Sequence, residues 1–217
     1  MNNIKNTSST PYLIGITGSF GTGKSLAGEI LEELGITVID TDEIVRSILK
    51  TKNNVTEKIQ NEFGNNVING KTGEYINKKN LAELVFNDTV KRKNLESIIH
   101  PEVNKVLESF TLQNNDKSII AVLIPLLFEC GLEKYYNEVW SVTCKREIQL
   151  ERLLKKGFTQ KEIDLRINSQ LPIEEKVEKS NFVIDNSGTI DETKKQIILR
   201  LKQLAQSVHN LHLSFDK

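Results

Sequence analysis

The sequence predicts an α/β fold with a parallel sheet, on three observations. Short apolar runs alternate with stretches of helical periodicity near both ends of the chain. The first run ends in glycine-rich sequence and passes directly into a helix, as a buried parallel strand does in a βαβ unit. Between the two alternating regions the chain offers helical patches and turns but no convincing strand.

Taken in order, Tyr12 to Thr17 is the first strand. Leu26, Ala27, Ile30, Leu31 and Leu34 then recur at helical spacing, and Gly35 closes that helix. Ile36 to Ile39 is a second brief strand, ended by Asp40-Thr41-Asp42. From Glu43 to Asn115 the helical patches include Leu81, Ala82, Leu84 and Val85, then Val103, Val106, Leu107 and Phe110. Phe63-Gly64-Asn65-Asn66 and Asn69-Gly70-Lys71 read as turns between such patches. The sheet resumes with the β-branched run Ser118 to Ile124 and continues with Val139 to Thr143. A helix holding Ile148, Leu150, Leu153 and Leu154 follows, with a turn at Gly157. Phe182-Val183-Ile184 is the last strand, and Ile197, Leu201, Leu204, Ala205, Val208 and Leu211 mark one face of a C-terminal helix. The expectation is one domain: a core at about 11–42, 116–150 and 181–217, a helical insert at about 43–115 and a lid at about 151–180.

Composition narrows the partners. The 29 basic and 29 acidic residues among 217 cancel, so no global positive field draws the chain to nucleic acid or to a membrane surface. Any anion must be held by a local site. Cys130 and Cys144 each end an apolar run and lack the spacing of a metal site, which reads as buried thiols in a reducing compartment. Met1 to Thr10 is polar, without the apolar stretch of a signal peptide, and no run approaches the roughly 20 apolar residues of a membrane span. A cytoplasmic location is the default expectation.

The local anion site is explicit. Gly18-Ser19-Phe20-Gly21-Thr22-Gly23-Lys24-Ser25 fits G-x-x-x-x-G-K-[ST] at every fixed position. A chance match in a chain this long is on the order of 1%, and the strand before it and helix after it lower that further. Glycines let backbone N–H groups converge on phosphate oxygens without a Cβ in the way, and the helix start adds unpaired donors. The expected nucleotide contacts are Gly18, Gly21, Thr22, Gly23, Lys24, Ser25 and Leu26, with Lys24 on the β- and γ-phosphates and the Ser25 hydroxyl on Mg²⁺. The fold class is therefore a P-loop NTPase-type three-layer α/β fold that binds ATP.

A P-loop serves switches, motors and kinases alike. A GTPase would read guanine through later motifs, but Asp185-Asn186-Ser187-Gly188 lies near the end, and Asn77-Lys78-Lys79-Asn80 lacks the acid and comes first. A DNA translocase would carry a basic surface, which the charge balance excludes. A small-molecule kinase remains. Such an enzyme needs a carboxylate to accept or orient the proton of the acceptor hydroxyl. Asp40 and Asp42 end the second strand, and strand ends in a parallel sheet open onto one crevice. Asp42 is the choice, with helix capping as the alternative role for either. Arg146, Arg152, Lys155, Lys156, Lys161 and Arg166 supply cations for a lid, or a solvated face paired with Glu147, Glu151 and Glu162.

These residues also carry a resemblance. Thr17 to Ser25, then Val38-Ile39-Asp40-Thr41-Asp42 with Arg46, resembles the opening of the dephospho-coenzyme A kinase family. His100-Pro101, Pro125-Leu126-Leu127-Phe128-Glu129, Gln149-Leu150-Glu151-Arg152, Arg166-Ile167 with Gln170, and Val183-Ile184-Asp185-Asn186-Ser187-Gly188 follow in the family's order. The resemblance implies transfer from ATP to the ribose 3′-hydroxyl of dephospho-CoA, giving CoA and ADP, with Asp42, Lys24 and Arg152 as catalytic residues. It implies Arg152 and Arg166 as phosphate ligands, a helical middle that holds the CoA moiety, and Arg46, His100 and Glu129 on the acceptor side. His100 also reads as a helix-end or packing residue, with Pro101 starting a new helix. Glu129 also reads as a helix cap or a ligand of Mg²⁺-bound water.

The chain departs from the family pattern at Ser19 and Phe20, where the family loop often reads Gly-Ile, and at Lys155 and Lys156, near which a further arginine is common. Two rival readings share the loop. One is a kinase of another hydroxyl or of a nucleoside monophosphate; the other is a slow nucleotide switch that acts through a partner.

Overall fold

The computed structural model describes residues 10–69, 75–86 and 88–207. The tail before Thr10, the Gly70-Lys71 part of the turn at Asn69, and Val208 and Leu211 of the C-terminal face lie outside the described residues. The chain divides into two compact units, Met1–Asp40 with Asn114–Lys217, and Thr41–Gln113.

The first unit is built on β1 (Tyr12–Gly18), α1 (Lys24–Glu33) and β2 (Thr37–Asp40). After the excursion come β3 (Ile119–Leu123), β4 (Glu138–Thr143), β5 (Phe182–Asp185) and a last helix, Ile190–Ser207. Among the described residues the strands form one parallel sheet in the order β2-β3-β1-β4-β5. The central strand β1 places Ile16 beside Leu123 on one side and Trp140 on the other. The loop that leaves β1 therefore emerges at the carboxyl ends of the strands, at the middle of the sheet, where parallel α/β folds bind ligands. β2 is not β1's neighbour; β3 lies between them, so the strand ends carrying Asp40 and the glycine loop are separated by a strand.

Strand alternation assigns the two faces. Ile14, Ile16, Ala121, Leu123, Trp140, Val142 and Ile184 point one way and bury against Ala27, Ile30 and Leu31 of α1 and Ile197, Leu201 and Leu204 of the last helix. The opposite face is closed by a helix at Ile173–Lys179, whose Lys176 carbonyl accepts from Ser141 Oγ at 3.2 Å. Gly15 is required on that face: a Cβ there would lie 2.7 Å from Leu127 and 3.0 Å from the Tyr136 ring. Burial pushes the Tyr136 hydroxyl up to about 12. The layers are thus helix, sheet, helix.

The second unit is helical: α2 (Thr41–Lys50), α3 (Asn54–Phe63), α4 (Lys78–Phe86) and α5 (Thr89–Gln113). Its core draws on Ile44, Leu49, Val55, Ile59, Val67, Ile76, Leu81, Ile99 and Val103. Asn53 starts α3 with a reciprocal cap: its Oδ1 accepts from the N–H groups of Val55 (2.9 Å) and Thr56 (3.0 Å), while its own N–H donates to Thr56 Oγ1 at 2.8 Å. α5 runs unbroken through Pro101, contrary to the reading that a helix restarts there. The proline removes the hydrogen bond to the Ser97 carbonyl, and the turns on either side carry the helix across. Among the described residues no helix is long and apolar enough to cross a membrane.

Candidate active site

Between Gly18 and Lys24 the chain turns on itself. Thr22 donates to the Ser19 carbonyl twice, from its N–H at 3.2 Å and from Oγ1 at 3.0 Å, and its side chain is buried. Thr22 Oγ1 thus braces the loop from within. Gly21 and Gly23 adopt φ of 84° and 107°, which disfavours any side chain, and space forbids one as well. A Cβ on Gly23 would lie 1.9 Å from Asn186 Nδ2, and one on Gly21 would lie 2.7 Å from Leu153. α1 begins at Lys24, and the glycine before it offers no side-chain cap to the first turn of Lys24, Ser25 and Leu26, a start suited to an anion. The Ser25 hydroxyl is exposed in that turn.

A strut behind the loop comes from the segment after β5. Asn186 Nδ2 donates to the Thr22 carbonyl at 2.8 Å, and Asn186 Oδ1 accepts from Thr193 Oγ1 at 3.0 Å. Both ends of this buried amide are satisfied, which fixes the main chain from Thr22 into the helix start. The Asn186 carbonyl in turn accepts from Arg152 Nη1 at 2.9 Å. In the sequence Asn186 stands out only as part of a motif, with nothing that assigns it this task. The signal was an amide directly after a strand end in a P-loop fold.

The cationic segment comprises α6 (Arg146–Lys155), α7 (Gln160–Asn168) and α8 (Ile173–Lys179), with Gly157 at φ 87° in the first connection. Its cations differ in what they touch. Lys155 pairs with Glu151 at 2.5 Å and Arg146 with Asp164 at 3.1 Å, both exposed ion pairs. Glu162 caps α7, accepting from the Thr159 N–H at 2.8 Å, which holds its carboxyl below the usual range. Arg152 and Arg166 are aimed differently. Arg152 binds the Asn186 carbonyl, and Arg166 lies 4.8 Å from the ring centres of both Phe20 and Phe158. Beside Arg152, Cys144 has its thiol pushed up, first by burial and then by Asp185, with the Arg152 charge opposing.

Glu129 sits after β3 at the surface, its carboxylate reaching in to a buried cation. Its Oε1 accepts from Lys176 Nζ and from the Leu171 N–H, each at 2.8 Å. Lys176 has 0% side-chain exposure and also donates to the Pro125 carbonyl at 2.8 Å. This carboxylate therefore pins Pro125–Glu129 to α8, a role that sequence reasoning missed because the partner lies 47 positions away (176 − 129).

The remaining candidates belong to the helical unit. Asp42 lies in the first turn of α2, because the helix begins at Thr41 directly after β2. The two aspartates therefore do not both end the strand: Asp40 ends it and Asp42 opens a helix. Arg46, one turn further, is exposed and 4.0 Å from Glu43. His100 is an exposed residue in the middle of α5 rather than at a helix end.

The loop suits a triphosphate: left-handed Gly21 and Gly23 lead the chain into a helix start that carries no side-chain cap. Among the described residues no cluster of three His, Cys, Asp or Glu could hold a metal. Mg²⁺ bound through one hydroxyl, phosphate oxygens and water needs none, so Ser25 suits it.

Residues 12–192 match the family model described as dephospho-CoA kinase. A dephospho-CoA kinase of Carboxydothermus hydrogenoformans is 39% identical over 88% of this chain and 93% of its own. One from Lactobacillus johnsonii is 33% identical over 90% and 99%. A solved structure from Thermus thermophilus superposes with a TM-score of 0.80 at 29% identity, covering 90% of this chain and 98% of its own. The dephospho-CoA kinase of Campylobacter jejuni does so with a TM-score of 0.59 at 26% identity, over 91% and 100%.

Proposed function

The chain belongs to the dephospho-CoA kinase family, and on that premise we propose how its residues move a phosphoryl group from ATP to the ribose 3′-hydroxyl of dephospho-CoA. The products are CoA and ADP, and the reaction is the final step of coenzyme A biosynthesis. The observation that carries the reading is the strand–loop–helix at Gly18–Ser25, braced by Asn186, within a family match that spans most of the chain.

The N–H groups at the start of α1 and the Lys24 ammonium bind the β- and γ-phosphates and offset charge that builds on them in the transition state. Mg²⁺, held by Ser25 and phosphate oxygens, supplies further neutralisation when bound. Arg152 and Arg166 bring guanidinium groups to the same phosphates and help to exclude water. Asp42 takes the proton of the acceptor hydroxyl as its oxygen bonds to the γ-phosphorus. The bond from that phosphorus to the β–γ bridging oxygen breaks, and ADP leaves with its electron pair. Positioning matters more here than basicity, so Asp42 needs no raised pKa. Arg46 and His100 bind the acceptor, and Glu129 acts through Lys176 by fixing the strand-end segment Pro125–Glu129.

ADP release from ATP and Mg²⁺ tests the function, with dephospho-CoA, adenosine, AMP and shikimate as alternative acceptors. Stimulation by dephospho-CoA alone is expected. Slow ADP release indifferent to acceptor would sink the kinase reading and favour a switch.

A further inference from the structure

Phe20 occupies a place in the phosphate loop where side-chain identity is not dictated by phosphate chemistry, yet the fold holds it from four directions. Its N–H donates to Gln170 Oε1 at 2.9 Å, and its carbonyl accepts from Gln149 Nε2 at 2.6 Å. Gln149 is buried and is itself oriented by Arg146 Nη1, 3.0 Å from its Oε1. The Phe20 ring meets Phe158 edge to face, with centres 5.2 Å apart and planes at 82°. The Arg166 guanidinium is seated 4.8 Å from the centres of both rings. These partners come from α6, the turn after it, α7 and the turn that follows α7.

We propose that Phe20 is a positioning residue for Arg166: its ring and that of Phe158 hold the guanidinium beside the phosphate loop before a nucleotide binds. The physical basis is the use of different parts of one group. An arginine can stack through the face of its planar guanidinium while its N–H donors, which lie in the plane, engage phosphate oxygens. An ammonium has no such face, and an aliphatic side chain at position 20 has no ring quadrupole to attract a cation. Arg166 is exposed, so without the rings its long side chain would sample many rotamers and lose them on binding. Seating it on a loop that is itself fixed by Gln149 and Gln170 moves part of that ordering into the folding of the protein. The two glutamines then have a purpose beyond packing: they fix the main chain that carries the aromatic platform.

The proposal rests on Arg166 being a phosphate ligand, and a double-mutant cycle separates the two ideas. kcat/KM for ATP is measured at saturating dephospho-CoA in wild type, Phe20→Leu, Phe20→Tyr, Arg166→Ala and the Phe20→Leu/Arg166→Ala pair. Leucine keeps apolar bulk against Phe158 and both main-chain bonds but removes the ring. We expect about a fivefold loss in Phe20→Leu and recovery in Phe20→Tyr. In the Arg166→Ala background, Phe20→Leu should have no further effect, because the residue it positions is gone. Phe158→Leu should behave as Phe20→Leu does. Equal losses from Phe20→Leu with and without Arg166 would show a structural role and overturn the proposal while leaving Arg166 a ligand. No loss in Arg166→Ala itself would remove Arg166 from the site and the proposal with it.

Discussion

In the sheet unit the loop assigned to phosphate is braced by the protein itself. Asn186 holds Thr22, Gln149 and Gln170 hold Phe20, Arg152 is bonded to a carbonyl, and the glycines fill space that no Cβ could share. In the helical unit the residues assigned to the acceptor are set on regular helix and exposed: Asp42 in a first turn, Arg46 beside Glu43, His100 mid-helix. The difference teaches where each half of the chemistry gets its order. On the proposed assignment, phosphate binding is prepared by folding, since charge stabilisation works best when dipoles need no reorganisation. On the same assignment, the acceptor meets side chains on exposed helix, whose ordering a large, flexible substrate completes when it arrives.

The largest effect should fall on the prepared end. Lys24→Ala is expected to lower kcat roughly 10²- to 10³-fold, as removal of a charge-stabilising donor does, with the fold retained by circular dichroism. An activity within tenfold of wild type would break the assignment. Gly23→Ala should abolish measurable ATP binding by titration calorimetry, because the new methyl meets the Asn186 amide and φ of 107° is strained. Asn186→Gly in that background should restore the space without the backbone freedom, giving at most partial recovery.

Ion pairs sharpen the same contrast. Glu129→Gln leaves the fully buried Lys176 without its counter-charge and should cost about 3 kcal/mol in denaturant unfolding, the low end for a broken buried pair because Glu129 is 20% exposed. Glu43→Gln removes the partner of Arg46 at a site 61% and 72% exposed, and should change stability by under ~0.5 kcal/mol. Similar values for the two would erase the distinction between fixed and gathered side chains. Asn53→Ala removes the cap of α3 and should cost about 1 kcal/mol with no change in ATP affinity.

The sequence was most legible where local physics leaves little choice. The strands at Tyr12 and Ser118, the helix closed by Gly35, and the phosphate loop followed from apolar runs, helical period and glycine spacing, and each stands within a residue or two of its expected ends. Pro101 misled because a helix long enough on both sides can bridge a lost hydrogen bond. The strand order escaped because apolar patterning says which face is buried but not which strand pairs with which. The fates of Lys155 and Arg166 were equally hidden. Both are cations on helices of similar composition, and only their neighbours, Glu151 for one and two aromatic rings for the other, tell them apart. The contact between Glu129 and Lys176 was invisible for the same reason.

The role proposed for Asp42 lies in the transfer itself and not in the holding of ATP. Single-turnover ADP formation with saturating ATP, Mg²⁺ and dephospho-CoA, in wild type and Asp42→Asn, tests it most directly when paired with ATP affinity by calorimetry. The asparagine variant is expected to lose about 10²-fold or more in rate, with ATP affinity changed by less than about threefold. A variant that keeps its rate, or loses it only in step with ATP binding, would contradict the role assigned to that carboxylate.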